Sequence, residues 1–163
     1  MIKVLYVEDR QAIRSDLSDR LQEKGFDILA CKSIYEAGAF WDAKKDYISS
    51  IILDLMLSPI GLPEKLHNRT RDGSLTGWIW LWHCLNPSGS LPHPAQDKNI
   101  VIYSGYIDEL TSYLSSSNAT EDERSFFSKY VTPIPKDNPF AEDELVKILL
   151  SGCHDLYDDA SSE

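Results

Sequence analysis

Five polar residues stand where apolar runs end. Glu8 and Asp9 follow "IKVLYV", Asp54 interrupts "IILDLML", Ser104 closes "NIVIYS", and Lys136 follows "YVTPIP". Three of the five are carboxylates, and carboxylates gathered in one place cannot all stay ionised without compensation. A hard divalent cation with oxygen ligands supplies it, and Mg²⁺ usually keeps some waters and takes a substrate phosphate oxygen as a further ligand. A lysine ammonium adds a second positive charge, and a serine hydroxyl adds a donor. A metal ion, an ammonium and a hydroxyl around one carboxylate are what phosphoryl transfer onto that carboxylate requires. Charge on the moving group's oxygens must be neutralised while the nucleophile is held in line. Asp54 is the acid that needs a reason, because six of the seven residues from Ile51 to Leu57 are apolar. Desolvating a lone carboxylate is costly, so Asp54 belongs at the strand's exit, facing a cation-bearing cleft.

Those residues meet only if the elements carrying them are arranged correctly. The runs at 2–7, 26–31, 49–57, 99–105 and 130–136 are apolar throughout and do not alternate, the pattern of strands buried on both faces. Helical segments separate them. Ile13, Leu17 and Leu21 recur every four residues, with Gly25 as a stop. "SIYE" (33–36) has capping-box form and opens a helix to about Lys45. "TGWIWLWHCL" (76–85) is an apolar helix, "YIDELTSYL" a short one, and "TEDE" (120–123) caps another that carries Phe126 and Phe127. "NPF" (138–140) sets up the last helix, whose inner face is Leu145, Ile148 and Leu149. The expected fold is therefore α/β: a doubly wound five-stranded parallel sheet, order 2-1-3-4-5, in a flavodoxin-like three-layer sandwich. Right-handed crossovers put every strand's C-terminal end on one edge, with strands one and three adjacent.

The totals bound the alternatives. The chain has 163 residues, enough for one domain, read as 1–155, with an acidic tail at 156–163. A net charge of −10 disfavours nucleic-acid binding, which needs a basic surface. No apolar run is long enough to span a bilayer. Cys31, Cys84 and Cys153 are odd in number and lack metal-ligand spacing, so a reduced, cytoplasmic chain with inert thiols is expected. The histidines show no ligand spacing. Trp78, Trp80 and Trp82 alternate, which on a helix spreads them around the circumference: one or two are expected in the core and the rest on a partner surface. The loop at 58–75 carries Lys65, His67, Arg69 and Arg71, a basic cluster in an acidic chain, fit for docking a partner or simply for solvation.

With "VED" at 7–9, "LDLML" at 53–57, "YSG" at 103–105 and "PK" at 135–136, the chain resembles the receiver domain of two-component response regulators over residues 2 to 152. The resemblance implies that Asp54 accepts a phosphoryl group from a histidine kinase or phosphotransfer protein. It implies that Asp9, helped by Glu8 through water, binds Mg²⁺ together with Asp54 and the Met56 carbonyl. Ser104 would turn toward the phosphoryl group and Lys136 would pair with it. Such a protein is a phosphoacceptor, not a conventional enzyme. Without an output domain after the last helix it would signal by contact with a downstream protein, or as a homodimer. Met56 and Tyr106, two residues beyond Asp54 and Ser104, are the positions that tune dephosphorylation in this family. Large side chains there would shield an acyl phosphate from water.

The chain also departs from the family pattern. Asp137, not proline, follows Lys136, and Pro133 occupies the place of the usual switch aromatic, with Tyr130 further back. The loop after the third strand is long, and Arg10 stands at the cleft's rim. The alternative reading is a pseudo-receiver, a phosphorylation-independent protein-binding module. A phosphatase using Asp54 as nucleophile is disfavoured, since Met56 stands where such enzymes commonly place a second acid.

Overall fold

The five apolar runs form one parallel sheet. In the computed structural model, which describes residues 1–151, the strands are β1 (Lys3–Val7), β2 (Asp27–Cys31), β3 (Ser50–Leu53), β4 (Asn99–Ser104) and β5 (Val131–Pro135). Their order is β2-β1-β3-β4-β5, as expected, with every neighbouring pair parallel. The helices are α1 (Gln11–Glu23), α2 (Ile34–Lys44), α3 (Thr76–Ile79), α4 (Ile107–Leu114), α5 (Glu121–Tyr130) and α6 (Ala141–Ser151). Two cores flank the sheet. On one face Val4, Tyr6, Ile52, Val101 and Ile134 pack against Leu17 and Leu21 of α1 and Leu145 and Leu149 of α6. On the other, Leu5, Val7, Ile51, Leu53, Ile100 and Ile102 meet α2, α3, α4 and α5. No helix among the described residues is long and apolar enough to cross a membrane. The domain boundary at 155, the tail at 156–163 and Cys153 lie outside the described residues.

Local signals account for the helix ends. Gly25 has φ +93° and its N–H donates to the Gln22 carbonyl, while Phe26 N–H reaches back to Leu21; this αL stop closes α1. Ser33 and Thr120 accept from the backbone N–H of Glu36 and Glu123, each three residues on. The Glu123 carboxylate does not return to the cap. It is buried, accepting from Trp78 Nε1 at 3.1 Å and the Tyr113 hydroxyl at 3.2 Å.

Three expectations change. The third strand ends at Leu53, not at 57. Leu55 and Leu57 are buried, but as part of a turn, because the backbone there is committed elsewhere: Leu55 N–H bonds to the Asp54 side chain and the Leu55 carbonyl accepts from Gly77. A continuous apolar run records burial, not extension. The loop at 58–75 is not merely solvated, since Leu62, Leu66 and Leu75 anchor it in the core and Glu64–Arg69 form a 3₁₀ segment. All three alternating tryptophans are buried, leaving none for a partner surface. Helix α3 continues as a π-helical turn over Trp80–Cys84. Trp78 and Trp82 stack in parallel, 6.5 Å apart, against Phe126, while Trp80 on the opposite side lies beside Gly38 of α2.

The segment at 86–98 completes this cover. His93 is buried and stacks on Phe126 at 4.2 Å. Its Nε2 donates to the Leu81 carbonyl at 2.8 Å and its Nδ1 accepts from Ala95 N–H at 2.9 Å, so the neutral ring satisfies both partners. Burial therefore holds its pKa below the ordinary histidine value. A depressed histidine stabilises the fold fully above the unfolded pKa. That contribution is lost as pH falls, because the unfolded chain then binds the proton that the native chain refuses. Chemical denaturation between pH 7.5 and 5.5 should show wild type losing stability relative to His93→Gln, with a differential slope of at most about 1.4 kcal/mol per pH unit. Parallel curves for the two proteins would refute this. His83, shifted down by burial as well, contributes equally to both and cancels. Burial pushes the Cys31 thiol up to about 12, which disfavours its thiolate.

Candidate functional site

Parallel register brings the polar residues to one sheet edge. Val7 pairs with Leu53, so Glu8 and Asp54 leave their strands at the same level, and Ser104 pairs with Pro135, so Lys136 follows beside it. The ladder continues one step past the strands: Asp54 N–H donates to the Val7 carbonyl and Lys136 N–H to the Ser104 carbonyl. Carboxylate oxygens of Glu8, Asp9 and Asp54 all lie within 4.8 Å of one another. Lys136 Nζ bridges two of them, donating to Glu8 Oε2 and, at 2.9 Å, to Asp54 Oδ2. Glu8 is wholly buried, Asp54 is 4% exposed, and Asp9 opens to solvent.

One ammonium thus serves a cluster of three acids. Burial pushes the Glu8 carboxyl above the ordinary range; the Lys136 hydrogen bond opposes this and the nearby Asp54 charge adds to it. Burial alone would pull Lys136 down, but its contacts with Glu8 and Asp54 outweigh that and hold it above its ordinary value. The donor set is all oxygen, anionic and short of positive charge, so it fits a hard divalent ion such as Mg²⁺. Met56 lies in the turn two residues on, half-buried, and its carbonyl accepts no hydrogen bond among the described residues.

Ser104 is fully buried. Its Oγ accepts from Leu55 N–H at 3.4 Å and Tyr106 N–H at 3.2 Å, and donates to no protein acceptor among the described residues. Half-buried Tyr106 is thereby held beside the cluster. Arg10, expected at the rim, contributes only its backbone N–H, which donates to Glu8 Oε1. The working arginine is Arg14, which sequence reading missed: its Nη1 donates to the main-chain carbonyls of Glu8 at 2.8 Å and Asp9 at 3.2 Å, clamping the acidic turn. The available signal was position, since an arginine one turn into a helix can reach back over the preceding loop.

Solved structures supply a likeness of fold. A receiver-domain protein from Clostridium thermocellum superimposes with TM-score 0.58 at 12% identity, covering 96% of this chain and 98% of that one. The receiver domain of a Francisella response regulator gives 0.56 at 16% identity, with 95% and 99% covered. The Thermotoga maritima response regulator TrrA, solved in complex with Mg²⁺-BeF, gives 0.53 at 22% identity, with 92% and 100% covered. No sequence-family model and no curated protein matches the chain. At these identities the likeness is one of fold, and the chain has the receiver-domain fold.

Proposed function

We propose that this chain is a phosphorylatable receiver: Asp54 accepts a phosphoryl group from a histidine kinase or phosphotransfer protein in a Mg²⁺-dependent reaction. The signal then passes to a downstream protein by contact, in the cytoplasm, without nucleic-acid binding. The observation that carries this reading is the gathering of Glu8, Asp9 and Asp54 at the sheet edge, with Lys136 paired to Glu8 and Asp54. The solved complex of a similarly folded response regulator with Mg²⁺-BeF supports it.

In the proposed step an Asp54 carboxylate oxygen attacks phosphorus, and the bond to the donor breaks with its electron pair leaving on the donor. Lys136, already 2.9 Å from Asp54, shifts one contact to a phosphoryl oxygen, and the free Ser104 proton is offered to another. Glu8, Asp9, Asp54 and the Met56 carbonyl would hold Mg²⁺, which when bound supplies charge neutralisation on the phosphoryl oxygens. Arg14 keeps the acidic turn in place throughout. The chain assists its own transfer and is not a conventional enzyme.

The direct test is incubation with Mg²⁺ and acetyl phosphate, read by intact mass. A labile adduct that forms with Mg²⁺ and fails with chelator supports the reading. A well-folded protein that stays unmodified with metal present points instead to a pseudo-receiver acting as a binding module. A second measurement follows from Tyr106, whose backbone N–H donates to Ser104 Oγ at 3.2 Å. Shielding of the acyl phosphate by this side chain predicts that Tyr106→Ala shortens the adduct's lifetime severalfold, and an unchanged or longer lifetime would remove it from that role.

A further inference from the structure

A second hollow lies away from the acidic cluster. It is formed where the loop at 58–75 meets the end of the Trp80–Cys84 turn and the start of the 86–98 segment, and holds about 670 Å³, within the usual range for a small-molecule site. Pro63, Leu66 and Pro87 give it apolar walls, while Lys65 and Arg69 give it cationic groups and His83 an imidazole. No acid lines it, in a chain with 26 acidic and 16 basic residues.

The basic groups are uncommitted. Among the described residues, neither Lys65 nor Arg69 lies within ion-pair distance of a carboxylate. Arg69 Nη1 instead sits 3.5 Å from His83 Nε2, a guanidinium resting against an imidazole. Such a pair leaves donors unspent and gains when an anion enters between its members. A fourth group has the same need. Asn86 lines the hollow and is 1% exposed; its Oδ1 accepts from Ser88, but its Nδ2 has no partner. A buried donor without an acceptor is uncommon and calls for a ligand or water.

We propose that this hollow is a binding site for a small organic phosphate, with the dianion held by Arg69 and Lys65 beside His83 and an apolar body lodged against Pro63, Leu66 and Pro87. The site is independent of Asp54 and would let a metabolite act on a surface built from the enlarged loops. It does not depend on the phosphoacceptor reading.

Phenylphosphonate is a suitable probe, since it carries a dianion on a ring and cannot donate a phosphoryl group. Titration by calorimetry and by amide NMR shifts, in chelator so that the acidic cluster holds no metal, should give saturable binding. The shifts should centre on residues 63–69 and 83–89, and affinity should be at least tenfold tighter than for inorganic phosphate or benzoate. Arg69→Gln and Lys65→Gln alter exposed side chains and should keep the fold. Each should weaken binding, Arg69→Gln at least tenfold, while Lys129→Gln, outside the hollow, should match wild type. No saturable binding, unchanged affinity in Arg69→Gln, or equal affinity for inorganic phosphate would overturn the proposal.

Discussion

Asp54→Asn should abolish the acetyl phosphate adduct outright while leaving the metal-free protein at least as stable as wild type. The two effects have one origin. Asparagine keeps an oxygen for the Leu55 N–H, which Asp54 Oδ1 now accepts at 2.7 Å, but it offers no nucleophilic carboxylate. Electrostatically, the substitution removes one attraction, to Lys136 at 2.9 Å, and two repulsions, from Glu8 and Asp9 at up to 4.8 Å. At an effective dielectric near 20 the attraction is on the order of 5–6 kcal/mol and each repulsion on the order of 3–4 kcal/mol, so the Coulomb terms nearly cancel. The desolvation of a carboxylate that is 4% exposed then decides the sign, and asparagine is cheaper to bury. Urea midpoints in chelator should rise by the equivalent of about 1–2 kcal/mol, and added Mg²⁺ should stabilise wild type more than the variant. An adduct that survives on Asp54→Asn would place the phosphoacceptor elsewhere. A variant markedly less stable in chelator would mean that Lys136 already compensates the cluster.

The same electrostatics explain why this site was legible in the sequence. Buried parallel strands are apolar throughout, so an acid, hydroxyl or lysine interrupting or ending such a run stands out, and strand order places Glu8, Asp54, Ser104 and Lys136 on one edge. What patterning does not carry is what covers a surface. Trp78, Trp80 and Trp82 are spread around a helix as expected, yet α2, α5 and the 86–98 segment enclose every side of it. Their burial depended on segments with no periodic signal of their own. Arg14 and Glu123 were missed for a related reason: each side chain serves a group outside its own helix, Arg14 the preceding turn and Glu123 the indole of Trp78 and the hydroxyl of Tyr113. The run past Leu53 misled because a buried turn and a buried strand have the same composition.

Gly77→Ala should be the most damaging Gly→Ala substitution among the described residues. The first turn of α3 lies directly against the turn bearing Asp54, with Gly77 N–H donating to the Leu55 carbonyl at 3.1 Å. A Cβ at Gly77 would meet the Asp54 carbonyl oxygen at 2.0 Å, the Asp54 carbonyl carbon at 3.0 Å and Leu55 Cα at 3.2 Å. All three are backbone atoms, so no rotamer change relieves the overlap. Either α3 retreats, carrying Trp78 and its stack out of register, or the turn bearing Asp54 moves. Alanine's better helix propensity returns about 1 kcal/mol, but the overlap and the lost hydrogen bond together cost more, a net loss of about 3–5 kcal/mol. Phosphorylation should fall even where the variant remains folded, because Asp54 and Ser104 share the displaced Leu55 N–H. Gly38→Ala is the matched control. It sits in the middle of α2, where a Cβ would meet only Trp80 Nε1 at an ordinary 3.8 Å, and should be neutral or stabilising by up to about 1 kcal/mol. Equal melting midpoints for the two variants would mean that α3 and the turn bearing Asp54 are not in contact. The opposite signs expected here separate a glycine kept for close approach from one that merely sits in a helix.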